Sequence, residues 1–393
     1  MSCLFADRMS AVHKSFIREI LKVTEDPEII SFAGGLPNPR LFPVQELSEA
    51  AKKVLDECGP SVLQYSITEG HLPLREYVSR RYAKRGVKVS PEEILITNGS
   101  QQGLDLVGKI FLNKSDEVLV ERPTYLAALQ SFGMYEPVFS SVTLEENGPD
   151  LGSLDDALEG EAPKIFYAVP NFQNPTGISY SSEKRQGVAD LLADRDTIFI
   201  EDDPYGELRF KGQDKPSMKN FLGDKAILLG SFSKIVSPGL RLGWICAQDE
   251  IMEKLIVAKQ ASDLHSGCLS QRVVYQFLLD NEIDDHIFRI REAYGAQRDL
   301  MIKIMEETFP ESVKYTRPEG GMFLWVTLPE GFSSLDLFQR AIKDKVAFVP
   351  GHAFFADGSG GNTMRLNFSN SDPEKIVEGM TRLSRSVKEM MAL

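Results

Sequence analysis

Residues 94–111 read ILITNGSQQGLDLVGKIF, and this stretch indicates the fold class of the chain. Its first four residues are an apolar, β-branched run typical of a buried strand, and residues 98–100 form a turn. Leu104, Val107 and Phe111 then recur at helical spacing. A strand that passes through a short turn into a helix is the repeating unit of α/β domains.

The same alternation continues along the chain. Further strand candidates are Glu117–Val120, Lys164–Val169, Thr197–Glu201, Ala226–Leu229 and Leu242–Ala247. Helical stretches such as Ser182–Arg195 separate several of them. The alternation predicts a large α/β domain with a mostly parallel sheet.

After about residue 250 the pattern changes. Two long helical patterns, near 250–280 and 285–308, precede the strand-like Met322–Thr327. A helix, the segment Val346–Val349, a strand at Thr363–Phe368 and a last helix from Pro373 complete the chain. We expect a smaller α+β domain over 281–393, a large domain over 46–280, and an N-terminal arm or lid, 1–45, that contributes to the small domain.

Composition limits the classes of partner. The chain has 393 residues, of which 42% are hydrophobic, so it can bury a large core without disulfides or a metal. Its net charge of −13 argues against nucleic acid and membrane partners. The four cysteines form no CxxC pair, and the N-terminus lacks the apolar core of a signal peptide. No apolar run approaches the roughly 20 residues that cross a bilayer, so we expect a soluble, cytoplasmic protein.

Polar residues follow successive predicted strands at the point where each strand ends. Ligands of open α/β sheets bind beyond the carboxyl ends of the strands, so these residues are expected to meet in one crevice. They are Gly99, Ser100 and Gln101, then Tyr125, Asn174, Asp202 with Tyr205, and Ser231 to Lys234.

The sequence Ser231-Phe232-Ser233-Lys234 has the features of a covalent and phosphate-binding site. A semi-buried lysine beside a cation has a lowered pKa and can attack a carbonyl to form a Schiff base. The two serines and Arg241, in the continuation SPGLR, suit a dianionic phosphate. The helix that opens at residues 99–101 could bind the same phosphate with its free amides. SFSK alone could equally be a polar loop with a solvated lysine, but the SPGLR continuation favours the site.

Other polar positions admit two interpretations each. Asp202 could hold a heteroaromatic nitrogen in its protonated form, with Tyr205 and Asn174 beside it, or it could cap a turn. Tyr125 could stack on a planar cofactor or pack in the core. Arg365, inside the apolar strand TMRLN, needs an anion, either a substrate α-carboxylate or an internal carboxylate. The chain has no HExxH, GxSxG, Walker or GxGxxG motif, its five histidines are scattered, and no metal site is predicted.

In the order of these motifs the chain resembles the fold-type I pyridoxal-phosphate (PLP) aminotransferases of class I/II over nearly its whole length. It is most similar to the 2-aminoadipate/kynurenine aminotransferase branch. The segments that carry this closer resemblance are FAGGLPNP at 32–39, LQYS at 63–66 and VAFVPG at 346–351.

The resemblance implies a role for each candidate residue, with PLP as the cofactor. Lys234 corresponds to the lysine that carries the cofactor, Asp202 to the partner of its ring nitrogen, and Asn174 and Tyr205 to the residues that hold its phenolate oxygen. The phosphate-binding positions correspond to Gly99, Ser100, Gln101, Ser231, Ser233 and Arg241. Tyr125 corresponds to the residue that stacks on the ring, and Arg365 to the arginine that binds the substrate α-carboxylate.

The resemblance also concerns assembly and substrate. Tyr65 is similar to a tyrosine donated to the cofactor phosphate of a neighbouring subunit, which implies a homodimer with shared active sites. Gly34 and Gly35 match the substrate-binding segment of the branch. Arg18 matches an arginine, on a mobile helix, that can meet a side-chain carboxylate of the substrate, or it is a helix-surface arginine.

The expected reaction is transamination in a ping-pong cycle. The donor would be an L-amino acid such as 2-aminoadipate or glutamate, and the acceptor a 2-oxo acid, with 2-oxoglutarate the first candidate. Transamination of aromatic amino acids or leucine, and β-elimination or decarboxylation on the same fold, remain alternatives. A non-catalytic regulator is disfavoured because the aminotransferase pattern starts within the first few tens of residues, and a pure scaffold is disfavoured by the intact lysine and phosphate residues.

Overall fold

The computed structural model describes residues 4–6, 8–11, 20, 26–160 and 162–392. Its strands are β1 (Ile30–Ser31), β2 (Ile94–Thr97), β3 (Glu117–Arg122), β4 (Val138–Glu145), β5 (Gly148–Pro149), β6 (Ile165–Ala168), β7 (Ile198–Asp202), β8 (Ala226–Ser231), β9 (Gly243–Cys246), β10 (Lys314–Tyr315), β11 (Phe323–Thr327), β12 (Val346–Ala347), β13 (Val349–Pro350) and β14 (Thr363–Asn367).

The helices alternate with the strands in the first two thirds of the chain. They are α1 (Arg8–Ala11), α2 (Val44–Cys58), α3 (Leu72–Lys84), α4 (Ser100–Phe111), α5 (Leu126–Gly133), α6 (Leu151–Ala157), α7 (Ser182–Leu192), α8 (Lys219–Leu222), α9 (Asp249–Ser262), α10 (Cys268–Asp280), α11 (Ile283–Thr308), α12 (Ser334–Lys343) and α13 (Pro373–Met391).

Within the described residues, eight strands form the main sheet in the order β2-β9-β8-β7-β6-β3-β4-β5. Strands β8, β7, β6, β3 and β4 run parallel to one another. Strand β9 is antiparallel to both of its neighbours, β2 and β8, so β2 runs in the same direction as β8. The carboxyl ends of β2, β8, β7, β6 and β3 therefore lie along one edge. This confirms the predicted α/β fold with a mostly parallel, mixed sheet.

The sequence explains why these strands occupy the centre of the molecule. All residues of β2, β6, β8 and β9 are buried, as expected for strands covered on both faces by helices. Their sequences are accordingly continuous apolar runs rather than alternating ones. A rigid, fully covered sheet gives the loops at its carboxyl edge fixed starting points.

A second sheet lies in the C-terminal part of the chain. It has the order β10-β11-β14-β13, and its neighbouring strands are antiparallel. Strand β1 pairs in parallel with β12, which joins the N-terminal segment to the C-terminal part. We propose the division into 46–280 and 1–45 with 281–393 on this distribution of sheets; the boundaries stay predictions.

The elements identified from the sequence differ from those of the structure in three places. The single helix predicted near 250–280 is wrong: α9 ends at Ser262 and α10 begins at Cys268, because Leu264 has a φ of +69°, which no α-helix contains. Strand β4 was not among the candidates, since most of its side chains are exposed or half-buried and it lacks a continuous apolar run. The segment Val346–Val349 divides at Phe348 into β12 and β13, which join different sheets.

Two negative findings apply to the described part of the chain. No helix there combines the length and the apolar character needed to span a bilayer. No cluster of three His, Cys, Asp or Glu side chains there could hold a metal ion.

Candidate active site

A cavity of about 360 Å³ opens at the carboxyl edge of the main sheet. It brings together thirteen of the sixteen residues predicted from the sequence: Gly35, Gly99, Ser100, Gln101, Tyr125, Asn174, Asp202, Tyr205, Ser231, Ser233, Lys234, Arg241 and Arg365. Val169, Pro204 and Pro238 also line it and were not predicted. The cavity is thus lined from three parts of the fold: five strand ends of the main sheet, β14 of the second sheet and the segment after β1.

Asp202 lines this cavity, and one of its carboxylate oxygens has no partner among the described residues. The residue is 2% exposed, and its Oδ2 accepts a hydrogen bond of 2.9 Å from the Tyr167 hydroxyl. Oδ1 is buried and has no hydrogen-bond partner among the described residues. Burial, and secondly the neighbouring Asp203, raise the pKa of Asp202 to about 7. A cationic N–H in the cavity would satisfy Oδ1 and lower that pKa.

Asn174 connects the two other polar groups on this side of the cavity. Its Nδ2 donates to the Tyr205 hydroxyl at 3.4 Å, and its Oδ1 accepts from Arg365 Nη1 at 2.7 Å. Burial raises the pKa of Tyr205, so its hydroxyl keeps its proton. Burial likewise raises the pKa of Tyr125 to about 12.

Arg365 is 2% exposed and makes no ion pair among the described residues. Besides Asn174, its guanidinium donates from Nη2 to the Ala33 carbonyl at 2.7 Å, and its Nε is unpartnered within the described residues. The group lies over the Phe323 ring at 4.3 Å and the Phe354 ring at 5.0 Å. Burial lowers its pKa to about 10. An internal ion pair is therefore not what holds this arginine, and an anion entering the cavity would stabilise its charge.

Lys234 follows β8, is half-buried and lines the cavity. Its Nζ donates to the Gly35 carbonyl at 2.9 Å. Burial, followed by repulsion from Arg365 and Arg241, lowers its pKa to about 8. A substantial share of the amine is therefore neutral and nucleophilic near physiological pH.

The turn before α4 and the segment 231–241 form the remaining wall. Gly99 has a φ of +77°, and a Cβ there would lie 2.7 Å from Arg241 Nη2, so only glycine allows this approach. Arg241 itself is left-handed, with a φ of +53°, and its Nη2 donates to the Asn98 carbonyl at 3.0 Å. Ser231 Oγ accepts from the Ser233 amide at 3.1 Å. A guanidinium, hydroxyls and the N-terminus of a twelve-residue helix are thereby gathered in one corner.

Three predicted residues are not in the lining. Tyr65 is 78% exposed and contacts His265 edge to face, with 5.8 Å between ring centroids. Gly34 is buried beside the cavity-lining Gly35. Arg18 lies outside the described residues.

Residues 33–383 match the family "Aminotransferase class I and II". The chain belongs to this family. The aminotransferase is 44% identical over 393 residues to the 2-aminoadipate transaminase of Thermus thermophilus, an alignment that covers 99% of this chain and 98% of that protein. It is 43% identical to aromatic-amino-acid aminotransferase 1 of Thermococcus litoralis, covering 98% of this chain and 94% of the relative.

A solved structure confirms the fold. The kynurenine aminotransferase of Pyrococcus horikoshii superposes with a TM-score of 0.94 at 42% identity, over 99% of this chain and 98% of that one. Fold type I and the α/β class are thus those of the aminotransferase, as predicted.

PLP is the cofactor of this family, and the cavity of the aminotransferase fits it. The orphaned Oδ1 of Asp202 matches a protonated ring nitrogen, and the corner at Gly99 and Arg241 matches a phosphate. Lys234 lines the same cavity and would supply the amine that a carbonyl group requires.

Sequence reasoning missed several residues that hold this site in place. Tyr167 donates to Asp202 from the middle of β6, where the run IFYA reads simply as buried strand. Glu121 and Gln173 form a buried hydrogen bond of 3.0 Å behind Asn174. The only signal for Tyr167 and Glu121 was a polar atom inside an apolar run, which is also typical of ordinary packed tyrosines and glutamates. Gln173 lies in the polar turn sequence NFQNPTG, where nothing distinguishes it from its neighbours.

Proposed function

We propose that the aminotransferase moves the amino group of an acidic L-amino acid, 2-aminoadipate or glutamate, to a 2-oxo acid, with 2-oxoglutarate as acceptor, in a ping-pong cycle. The observation that carries the transamination chemistry is the convergence of Lys234, the free Oδ1 of Asp202 and Arg365 on one cavity. The preference for acidic substrates is supported by the 44% identity to a protein named 2-aminoadipate transaminase.

Each side chain has a defined task in this proposal. PLP, when bound, supplies a ring that withdraws electrons from the substrate Cα. Asp202 Oδ1 accepts the ring N–H and keeps that proton in place. Asn174 and Tyr205 orient the ring through its phenolate oxygen, Tyr125 covers its face, and Gly99, Ser100, Gln101, Ser231, Ser233 and Arg241 bind the phosphate.

Lys234 and Arg365 act on the substrate. Arg365 pairs its fork with the α-carboxylate, which fixes where the Cα–H bond lies. Lys234 Nζ would then take the proton from Cα and deliver it to the C4′ carbon of the cofactor, a task that suits an amine with a pKa of about 8. Gly34 and Gly35 leave room for the substrate, and Arg18 is proposed to pair with its side-chain carboxylate.

We also propose a homodimer with shared active sites, to which Tyr65 of each subunit contributes across the interface. The support is that Leu63, Tyr65 and Ile67 expose 70%, 78% and 54% of their surface on one segment. Three adjacent large apolar side chains in water are unusual for a surface without a partner. A monomeric mass in sedimentation at assay concentration would contradict this.

The test of substrate class is a set of single half-reactions. PLP-loaded enzyme is mixed in turn with 2-aminoadipate, glutamate, leucine, phenylalanine, kynurenine and alanine, and the change in the cofactor's absorption band is timed. Fastest conversion by 2-aminoadipate and glutamate, with a selective loss of that advantage in Arg18→Gln, is expected. Fastest conversion by leucine or the aromatic donors would contradict the acidic-substrate proposal but leave transamination intact.

An aromatic and leucine aminotransferase is the second candidate. The observation that favours it is the 43% identity to a protein named aromatic-amino-acid aminotransferase 1. If no donor converts the cofactor, β-elimination or decarboxylation replaces transamination, and release of pyruvate and ammonia from a β-substituted substrate would identify elimination.

A further inference from the structure

A charged network lies beside the turn that precedes α4, and none of its four residues, Asn98, Gln102, Lys259 and Asp263, lines the cavity. Asp263 Oδ2 accepts hydrogen bonds from Asn98 Nδ2 at 2.6 Å and from Gln102 Nε2 at 2.8 Å. Lys259 Nζ donates to both Asp263 oxygens, at 3.0 and 3.1 Å, and to Gln102 Oε1 at 2.8 Å. The backbone N–H of Asn98 also donates to Gln102 Oε1, at 2.9 Å.

This network is built into the fold rather than exposed on it. The Lys259 side chain is 0% exposed and that of Asp263 24% exposed. Burial lowers the pKa of Lys259, and its hydrogen bond to Asp263 opposes that shift, so the cation depends on this carboxylate. An ion pair with a fully buried lysine, in which both members also make further hydrogen bonds, fixes a single geometry.

The network makes hydrogen bonds to residues on both sides of Gly99 in the turn. Asn98 precedes that glycine, and its carbonyl also accepts from Arg241 Nη2 at 3.0 Å. Gln102 lies in the first turn of α4, and its amide donates to the Gly99 carbonyl at 3.1 Å. The position of the α4 N-terminus and that of Arg241 are therefore set together.

The chain segment that carries Asp263 has a conformation that serves these contacts. Leu264 is left-handed, with a φ of +69°, which turns the chain out of α9. Ser266 Oγ then donates to the Ile96 carbonyl of β2 at 3.2 Å, so the segment is tied to the strand that enters the turn. His265 Nε2 accepts from the Ser66 amide at 3.2 Å, beside Tyr65.

We propose that Asp263, with Lys259, is a positioning residue for cofactor phosphate: it holds Asn98 and Gln102 so that the α4 amides and Arg241 face the phosphate together. This rests on the proposed function of that corner as the phosphate site. Asp263 does not line the cavity and acts only through the turn.

The experiment compares PLP with pyridoxal, the same aldehyde without its phosphate, on the apoenzyme. Dissociation constants of both are measured by absorbance titration, and their ratio gives the contribution of the phosphate. Asp263→Asn keeps the size of the side chain but places an amide NH₂ against Lys259 or Asn98. We expect the preference for PLP over pyridoxal to fall about tenfold, because a hydrogen bond to a charged group is lost.

Two further variants locate the effect. Asn98→Ala removes the other partner of the 2.6 Å bond, so it should lower the ratio similarly, and the double variant should lose no more than either single one. Asp344→Asn is the matched control, since Asp344 is 27% exposed and accepts from Arg385 and Ser386 far from the cavity. It should leave the ratio unchanged.

Arg241→Asn distinguishes failure of the positioning role from failure of the phosphate site itself. Asparagine is chosen because it tolerates the left-handed backbone at this position. If Arg241→Asn lowers the ratio and Asp263→Asn does not, the positioning role is wrong and the phosphate site stands. If Arg241→Asn leaves the ratio unchanged, the phosphate site itself is wrong and the positioning role falls with it. Equal weakening of PLP and pyridoxal in Asp263→Asn, together with a lower melting temperature, would reduce Asp263 to a general structural residue.

Discussion

Two buried carboxyl groups stand at the ends of β7 and β3, with β6 between them, and they have opposite surroundings. Burial raises the pKa of both Asp202 and Glu121 to about 7. Asp202 has one oxygen bonded to Tyr167 and the other unpartnered among the described residues. Glu121 has both oxygens occupied, by the Tyr180 hydroxyl at 2.7 Å, the Val169 amide at 3.2 Å and Gln173 Nε2 at 3.0 Å.

The contrast between Asp202 and Glu121 shows which feature of a buried acid points to function. A raised pKa is common to both groups and so does not distinguish them. Asp202 lines the cavity and leaves an acceptor free there, whereas Glu121 lies behind the lining and is saturated by the protein. The first arrangement is incomplete without a ligand, and the second is complete as folded.

Lys234→Ala, a substitution in the cavity lining, should have the largest effect on turnover. Turnover should fall by at least about 10⁴-fold, since both the nucleophile and the proton carrier are lost. PLP should still bind, without a covalent bond, as measured by titration of the variant. Lys219→Met is the control: that lysine is buried too but donates only to backbone carbonyls, so its turnover should survive. Near-normal turnover in Lys234→Ala would refute the assignment.

The next effect separates the two carboxyl groups. Asp202→Asn should lower turnover by about 10²- to 10³-fold, because an amide cannot stabilise a positive charge on the ring nitrogen. The stability of the apoenzyme above pH 7 should not fall, since a buried carboxylate without a cationic partner among the described residues is removed. Turnover and urea unfolding of the apoenzyme are the two measurements. If Asp202→Asn is unstable but fully active when folded, Asp202 is a structural residue and not the partner of the cofactor.

Glu121→Gln should have the smallest effect on turnover, within about tenfold, and a measurable effect on the pH dependence of stability. The folded protein keeps the Glu121 proton from pH 4.5 to about 7 while the unfolded chain has lost it, so this group's stabilisation is greatest at low pH and falls as pH rises through that window. Glutamine does not titrate, so Glu121→Gln lacks this pH-dependent loss of stability. The unfolding free energy of Glu121→Gln relative to wild type should therefore rise by about 2 to 3 kcal/mol between pH 5 and pH 8.

Urea unfolding of the two apoenzymes at several pH values tests this. The Asp202 contribution is common to both proteins and cancels in the difference. A pH-independent difference would mean that Glu121 is ionised in the folded protein at pH 5 and that its burial is not what sets its pKa.

Much of this site could be predicted from the sequence, because its residues follow strands. Asn174, Asp202 and Lys234 lie at or within a few residues of the carboxyl ends of apolar runs, and the direction of parallel strands brings such positions to one edge whatever the details of packing. Arg365 was detectable for a different reason, as a charge inside an apolar strand. The break between α9 and α10 was missed although Gly267 directly precedes α10, because the residue that turns the chain out of α9, Leu264, is an ordinary helix former with no signal of a left-handed backbone.

The α/β class, the mostly parallel sheet and the set of residues at its carboxyl edge follow from the amino-acid sequence, since they depend on periodicity within short segments. Which of those residues touch one another is set by the tertiary structure. Arg365 and Asn174 are 191 positions apart, and Asn98 and Asp263 are 165 apart. Hydrogen-bond partners at such separations depend on strand order and on how one sheet packs against another, and neither is encoded in the local pattern of apolar and polar residues.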